Sequence, residues 1–212
     1  MRCDKSMMQL YAVTDRTWLD GRTMYEQVEE ALQGGVTCVQ LREKQLSKEA
    51  FLAEAIPIGQ LCRRYGVPFI INDNLKVAQA CGADGIHVGQ EDMRVDEVRR
   101  LLGDGMIIGA TAHTVEEAVE AERRGADYLG AGAVFPTGTK ANTIALSYET
   151  LKEICAAVQI PVAVIGGITQ SNLMTLSGSG VSGVAVVSAV FAAEDVRAAS
   201  ARLLELSRQM TG

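Results

Sequence analysis

Val39-Gln40-Leu41-Arg42-Glu43-Lys44 begins apolar and closes on charge, and other runs of the chain do the same with different endings. Ile70-Ile71-Asn72-Asp73-Asn74, Ile86-His87-Val88-Gly89-Gln90-Glu91-Asp92, Val134-Phe135-Pro136-Thr137-Gly138-Thr139-Lys140 and Val162-Ala163-Val164-Ile165-Gly166-Gly167 follow in order. One such ending is a loop. A series of them is what parallel strands produce when their carboxyl ends point at one place, and in α/β sheets that place is the active site.

Outward from these runs, short apolar segments alternate eight times with amphipathic ones. The spacing predicts strands near 9–13, 36–41, 67–71, 84–88, 106–110, 127–131, 161–165 and 183–187. Met24, Val28, Ala31 and Leu32 form one helical stripe, as do Leu151, Ile154, Cys155 and Val158, and Val196, Ala199, Leu203 and Leu204. Thr114-Val-Glu-Glu117 reads as a capping box, and Pro57 is expected to kink the second helix. Gly35-Val-Thr-Cys-Val, Gly82-Ala-Asp-Gly-Ile, Gly125-Ala-Asp-Tyr-Leu and Gly180-Val-Ser-Gly-Val form a weak repeat, each glycine stopping a helix before an even-numbered strand. The repeating unit is then a pair of β/α modules. A single-domain (β/α)8 TIM barrel over residues 1–212 accommodates it. An open doubly wound sheet is disfavoured, because no G-x-G-x-x-G follows the first strand and eight strands close without leaving edges.

The 212 residues suffice for one sizeable core, and 48% hydrophobic with 22% charged residues is ordinary for a globular protein. A net charge of −6 argues against general binding to nucleic acid or anionic membranes, without excluding a local basic pocket at Arg42, Lys44 and Lys140. The start lacks the apolar segment of a signal peptide, and Val181–Ala193 is too short to span a bilayer. Five cysteines make no C-x-x-C pair and no zinc spacing with His87 or His113, so they read as reduced, mostly buried thiols in the cytoplasm. The expectation is a soluble enzyme or small-molecule binder.

At the strand ends, Gln40, Arg42 and Lys44 recur with period two and share one face, where a planar guanidinium and a mobile ammonium suit a diphosphate. The alternative is an ordinary solvated strand end. Asp73 closes an apolar strand, where an unpaired carboxylate is costly, although a turn or cap through Asn74 is the plainer reading. Asp92, with Glu91 as competitor, leaves the next strand or caps the following helix. Two carboxylates from adjacent strand ends facing cations resemble a magnesium site completed by substrate phosphates. Thr137-Gly-Thr-Lys140 offers hydroxyls, backbone N–H groups and a cation in a loop, whereas Gly166-Gly167 and Val187-Ser188 end strands seven and eight, where barrels often hold phosphates. His87 reads as a satisfied core residue. His113 either orients a substrate or caps a helix.

Leu10-Tyr-Ala-Val-Thr-Asp15, Val39-Gln-Leu-Arg-Glu-Lys44, Ile71-Asn-Asp73, His87-Val-Gly-Gln-Glu-Asp92, Pro136-Thr-Gly-Thr-Lys140 and Ile165-Gly-Gly-Ile168 occur together and in order. In these motifs the chain resembles the thiamin phosphate synthase family, from about Leu10 to Asp195. The resemblance implies a (β/α)8 enzyme that joins a hydroxymethylpyrimidine diphosphate to a thiazole phosphate with Mg2+ and releases pyrophosphate. It assigns Gln40, Leu41, Arg42, Glu43, Lys44, Asn72, Thr111 and Lys140 to the pyrimidine diphosphate. Asp73 and Asp92 fall to the metal, and Thr137, Gly138, Thr139, Gly167, Val187 and Ser188 to the thiazole phosphate. Lys140, Arg42, Lys44 and Thr111 are the expected catalytic groups.

Two departures from the family pattern stand out. Thr111 replaces the usual Ser, and Ala141-Asn-Thr-Ile-Ala-Leu146 replaces a charged, glycine-containing stretch. A thiazole-phosphate tautomerase using a histidine near His113 and a non-catalytic thiamin-phosphate binder are the rivals, each at odds with the full carboxylate and cation set.

Overall fold

The apolar runs become strands buried on both faces, as a closed parallel ring demands. The computed structural model describes residues 3–138 and 145–212. Its strands are β1 (Leu10–Val13), β2 (Cys38–Leu41), β3 (Phe69–Asn72), β4 (Gly85–Val88), β5 (Ile107–Ala112), β6 (Tyr128–Gly132), β7 (Val162–Ile165) and β8 (Gly183–Val186). Each is parallel to its neighbours in sequence, and β1 closes on β8 into a barrel. Around it run α1 (Met24–Gln33), α2 (Lys48–Tyr65), α3 (Leu75–Cys81), α4 (Val95–Leu102), α5 (Val115–Arg123), α6 (Tyr148–Ala157), the short α7 (Ser188–Phe191) and α8 (Val196–Thr211). The expected alternation fails once: β7 and β8 are linked through a 3-10 turn, Leu173–Leu176, in place of a full helix. The Ser- and Gly-rich connection is short, and Leu173 and Leu176 are buried where the turn packs on α8.

Period-two alternation sorts the strand side chains. Leu10, Val39, Phe69, Ile86, Ile108, Leu129, Val162 and Val184 join the layer between strands and helices. Tyr11, Val13, Cys38, Ile70, Ile107, Tyr128, Ala163 and Ala185 fill the barrel itself, with Met7 and Met8 of the N-terminal turn. The barrel interior is therefore a packed core.

The glycine repeat has a structural counterpart. Gly35, Gly82, Gly125 and Gly180 all take positive φ. Two residues beyond each glycine, the main-chain N–H of Thr37, Asp84, Asp127 and Ser182 donates to Leu10, Phe69, Ile108 and Val162, respectively. At three of the four positions the side chain adds a bond to the same strand. Thr37 Oγ1 accepts from Leu10 N at 2.8 Å, Asp84 Oδ2 from Phe69 N at 2.9 Å and Asp127 Oδ2 from Ile108 N at 2.8 Å. Each even-numbered strand is thus clasped to the odd one before it.

One local expectation is modified. Thr114 Oγ1 accepts from Glu117 N, but the Glu117 carboxylate turns to His113 N at 2.7 Å, so the capping box is half formed. A complete box opens α1 at Thr23 and Glu26. The α2 helix continues on both sides of Pro57. The thiols of the described cysteines are unpaired; Cys38 and Cys62 are buried and Cys3, Cys81 and Cys155 half-buried. Among the described residues no helix is long and apolar enough to cross a membrane.

Candidate active site

All eight strands deliver residues to one cavity of about 170 Å3 at their carboxyl ends. Tyr11, Gln40, Asn72, His87, Thr111, Gly130, Ile165 and Ala185 line it, one from each strand in turn. Its floor is a hydrogen-bonded chain. Gln40 Nε2 donates to Tyr11 Oη at 2.5 Å, and Tyr11 and Tyr128 share a bond at 2.6 Å. His87 Nδ1 lies 3.1 Å from Tyr128 Oη, and its Nε2 lies 3.0 Å from Thr111 Oγ1. Room for the Tyr128 ring comes from Gly109 on β5, where a Cβ would sit 2.1 Å from the ring. His87 is buried and satisfied, as its apolar strand suggests, and it also faces the cavity.

Strand alternation brings Gln40 and Arg42 to the cavity. It turns Leu41 to the helix layer and Glu43 to Arg16, 2.8 Å away, so neither side chain reaches the cavity. Arg42 Nη1 is 3.3 Å from Asp15 Oδ2. Lys44 forms an ion pair with Asp73, and Lys44, Asp73 and Asp92 follow the strand ends without lining this cavity. Asp73 is held in the left-handed region at φ 59, its N–H donating to His87 O at 2.9 Å and its Oδ2 accepting from Asn72 Nδ2 at 2.6 Å. Such backbone, unusual for a residue other than glycine, clusters at functional sites. Asn74 caps α3, so the cap and the acidic site coexist at this strand end.

Asp92 lies near enough to the Asp73 carboxyl for each to shift the other's ionisation, and it accepts from Gly89 N at 2.8 Å. It does not cap α4, whose N-cap is Arg94. Burial raises the Asp73 carboxyl above the ordinary range; Lys44 opposes the shift and the Asp92 charge adds to it. Burial acts the same way on Asp92, but its bonds to Asp73 and Gly89 and the charge of Lys44 outweigh it and hold that carboxyl low. The two titrate as a pair. Among the described residues no three His, Cys, Asp or Glu side chains assemble as a cation site, so two carboxylates are the acidic donor set here.

The opposite side is main chain. Gly166 and Gly167 take φ 102 and 63, and a Cβ on Gly167 would lie 2.4 Å from Pro136 O. Asn172 Nδ2 donates to Gly167 O at 2.9 Å and fixes this turn. Val187 and Ser188 line the cavity where α7 opens, and no side chain caps the first N–H groups of that helix. Thr137 lines the cavity, while Gly138 is exposed beside it. Thr139, Lys140 and the unusual stretch from Ala141 to Ile144 lie outside the described residues.

The profile of the family described as thiamine monophosphate synthase matches residues 10–190, the barrel with all eight strand ends. The chain belongs to this thiamine monophosphate synthase family. A thiamine-phosphate synthase from Ruminiclostridium cellulolyticum is 46% identical over 197 residues, covering 93% of this chain and 94% of that relative. One from Clostridium acetobutylicum is 47% identical over 189 residues, covering 89% and 90%. The solved structure of a thiamine phosphate pyrophosphorylase from Pyrococcus furiosus is 39% identical and covers 98% of this chain and 99% of its own, with a TM-score of 0.89.

In this thiamine monophosphate synthase family member, Tyr11, Tyr128 and the apolar wall of Val13, Ile165, Ile168 and Val186 escape a reading based on charged strand ends. The inward strand phase marks Tyr11, Val13, Tyr128 and Ile165, but not Val186, which shares the phase of Val184, or Ile168, which follows β7. His113 also lines the cavity, its Nδ1 3.1 Å from Glu117 Oε2. Thr114 is the cap of α5, so His113 is not.

Proposed function

We propose that the protein joins 4-amino-2-methyl-5-hydroxymethylpyrimidine diphosphate to 4-methyl-5-(2-hydroxyethyl)thiazole phosphate, giving thiamin phosphate and pyrophosphate, with magnesium held by Asp73 and Asp92. The observation that carries this reading is the pair of carboxylates, Asp73 and Asp92, beside Lys44, following the ends of β3 and β4, whose Asn72 and His87 line the cavity. Two carboxylates suit Mg2+, which binds through one or two of them and completes its shell with phosphate oxygens and water. Bound there, the ion supplies charge neutralisation to the diphosphate.

The chain's own groups do the rest. Arg42 and Lys44 grip the diphosphate, with Lys140 assigned to it by the family pattern. Gln40 and Asn72 present amides to the pyrimidine end. The methylene–oxygen bond breaks first, pyrophosphate departs with the bonding electrons, and the thiazole nitrogen captures the pyrimidine methylene cation. No strong base is required, and His113 is engaged by Glu117. Val13, Ile165, Ile168 and Val186 keep water from the cation. Main-chain N–H groups at Gly166-Gly167 and the start of α7 receive the thiazole phosphate, with Thr137 beside them. Unpaired cysteines suit a reducing cytoplasm as the place of reaction.

Purified protein incubated with both phosphorylated precursors and Mg2+ tests the proposal. Thiamin phosphate and pyrophosphate should form in equal amounts and cease when metal is withheld. Binding without turnover would favour a sensor, and isomerised thiazole phosphate alone a tautomerase.

A further inference from the structure

The buried chain on the cavity floor has a direction. Gln40 turns its Nε2 to Tyr11, so the phenol oxygen accepts, at 2.5 Å. A phenol has one proton, and Tyr11 is left to donate it to Tyr128, 2.6 Å away. Tyr128, having accepted, donates its own proton to His87 Nδ1 at 3.1 Å. The relay requires a neutral imidazole, whose one N–H then sits on Nε2 and points at Thr111 Oγ1, 3.0 Å away. Thr111 accepts that bond and keeps its own hydroxyl proton for the cavity it lines. Both tyrosines are fully buried, and burial pushes their ionisation well up, so each keeps its single proton. Each donor polarises the next, and such chains strengthen cooperatively.

We infer that Gln40, Tyr11, Tyr128 and His87 form a one-way hydrogen-bond relay that fixes Thr111 as a hydrogen-bond donor into the cavity, with Tyr128 and His87 as positioning residues. The orientation serves an anionic or lone-pair-bearing oxygen of a bound substrate, and its kinetic consequence rests on the reaction proposed above. Reversing the relay would turn the Thr111 hydroxyl inward to His87 Nε2 and present only lone pairs to the ligand. Without the relay, the hydroxyl is free to rotate and loses its fixed orientation.

Long-range 1H–15N spectra of the wild-type protein read the relay directly, since the chain has only two histidines. His87 should appear as the neutral Nε2–H tautomer, and Tyr128→Phe should shift it toward a mixture. A wild-type Nδ1–H tautomer overturns the inference whatever the activity. A double-mutant cycle then tests the route to Thr111. Tyr128→Phe should lower kcat about five- to tenfold, the worth of one oriented hydrogen bond, with KM little changed. In the Thr111→Val background the same change should have almost no effect, whereas additive effects would refute action through Thr111. If Tyr128→Phe does not fold, the wild-type spectrum still decides. Absence of synthase turnover in the wild type would instead fault the proposed reaction and leave the tautomer result standing.

Discussion

Asp73 combines a positive φ, partial burial and the nearby charge of Asp92. A carboxyl raised above its unfolded value stabilises the fold below that value and loses the contribution as pH climbs through the folded one. At neutral pH the ionised Asp73 therefore costs stability. Asp73→Asn keeps a side chain that tolerates left-handed backbone and removes the charge. It should raise the melting temperature of the free protein at pH 7, with the gain shrinking as pH falls through the carboxylate range, while synthase activity collapses. A lower melting temperature at pH 7 would show that the Lys44 pair outweighs burial. Asp92→Asn, by contrast, should chiefly raise the Mg2+ concentration needed for half-maximal rate, about tenfold for a 1.4 kcal/mol loss. Unchanged metal dependence would remove Asp92 from the metal site.

At the scale of elements, the repeated clasp ties strands in pairs. Asp127 Oδ2 accepts from Ile108 N and from Arg99 Nη2 at 2.6 Å, linking β5, β6 and α4. Asp127→Ala leaves a buried strand N–H without its acceptor and should cost about 1–3 kcal/mol in urea unfolding. A loss within about 0.5 kcal/mol would make the clasp ornamental. The β7 end makes a different claim. Gly167→Ala drives a Cβ into the Phe135–Pro136 main chain at a left-handed φ. KM for the thiazole phosphate should rise about tenfold and that for the pyrimidine diphosphate far less; equal rises would mean the two ends are not separate. Much of this scale was legible: the glycine repeat already implied paired modules, and period two placed Gln40 and Arg42 together. The same period excludes Leu41 and Glu43, which a motif taken whole had included. Glu117 was misassigned because the sequence does not say which of two adjacent N–H groups a carboxylate will choose.

Over the whole molecule, the series of polar strand ends led to parallel strands, and eight of them without a G-x-G-x-x-G or exposed edges led to the closed barrel. The turn between β7 and β8 and the tyrosine chain were less legible, since they depend on which side chains meet across the barrel, a distance no local spacing encodes. Closure is also what lets a weakly acidic protein form a local anion site: Arg42 and, across the ring, Gly166, Gly167 and Ser188 line one cavity. The central claim is that the Asp73–Asp92 pair and this cavity are one site. Its most direct test is a crystal structure with Mn2+ in place of Mg2+ and pyrophosphate bound. The account predicts an anomalous peak coordinated by both carboxylates and by a pyrophosphate oxygen, with Lys44 turned from Asp73 to the anion. A manganese peak away from Asp73 and Asp92, or pyrophosphate bound without contact to Arg42 and Lys44, would contradict it.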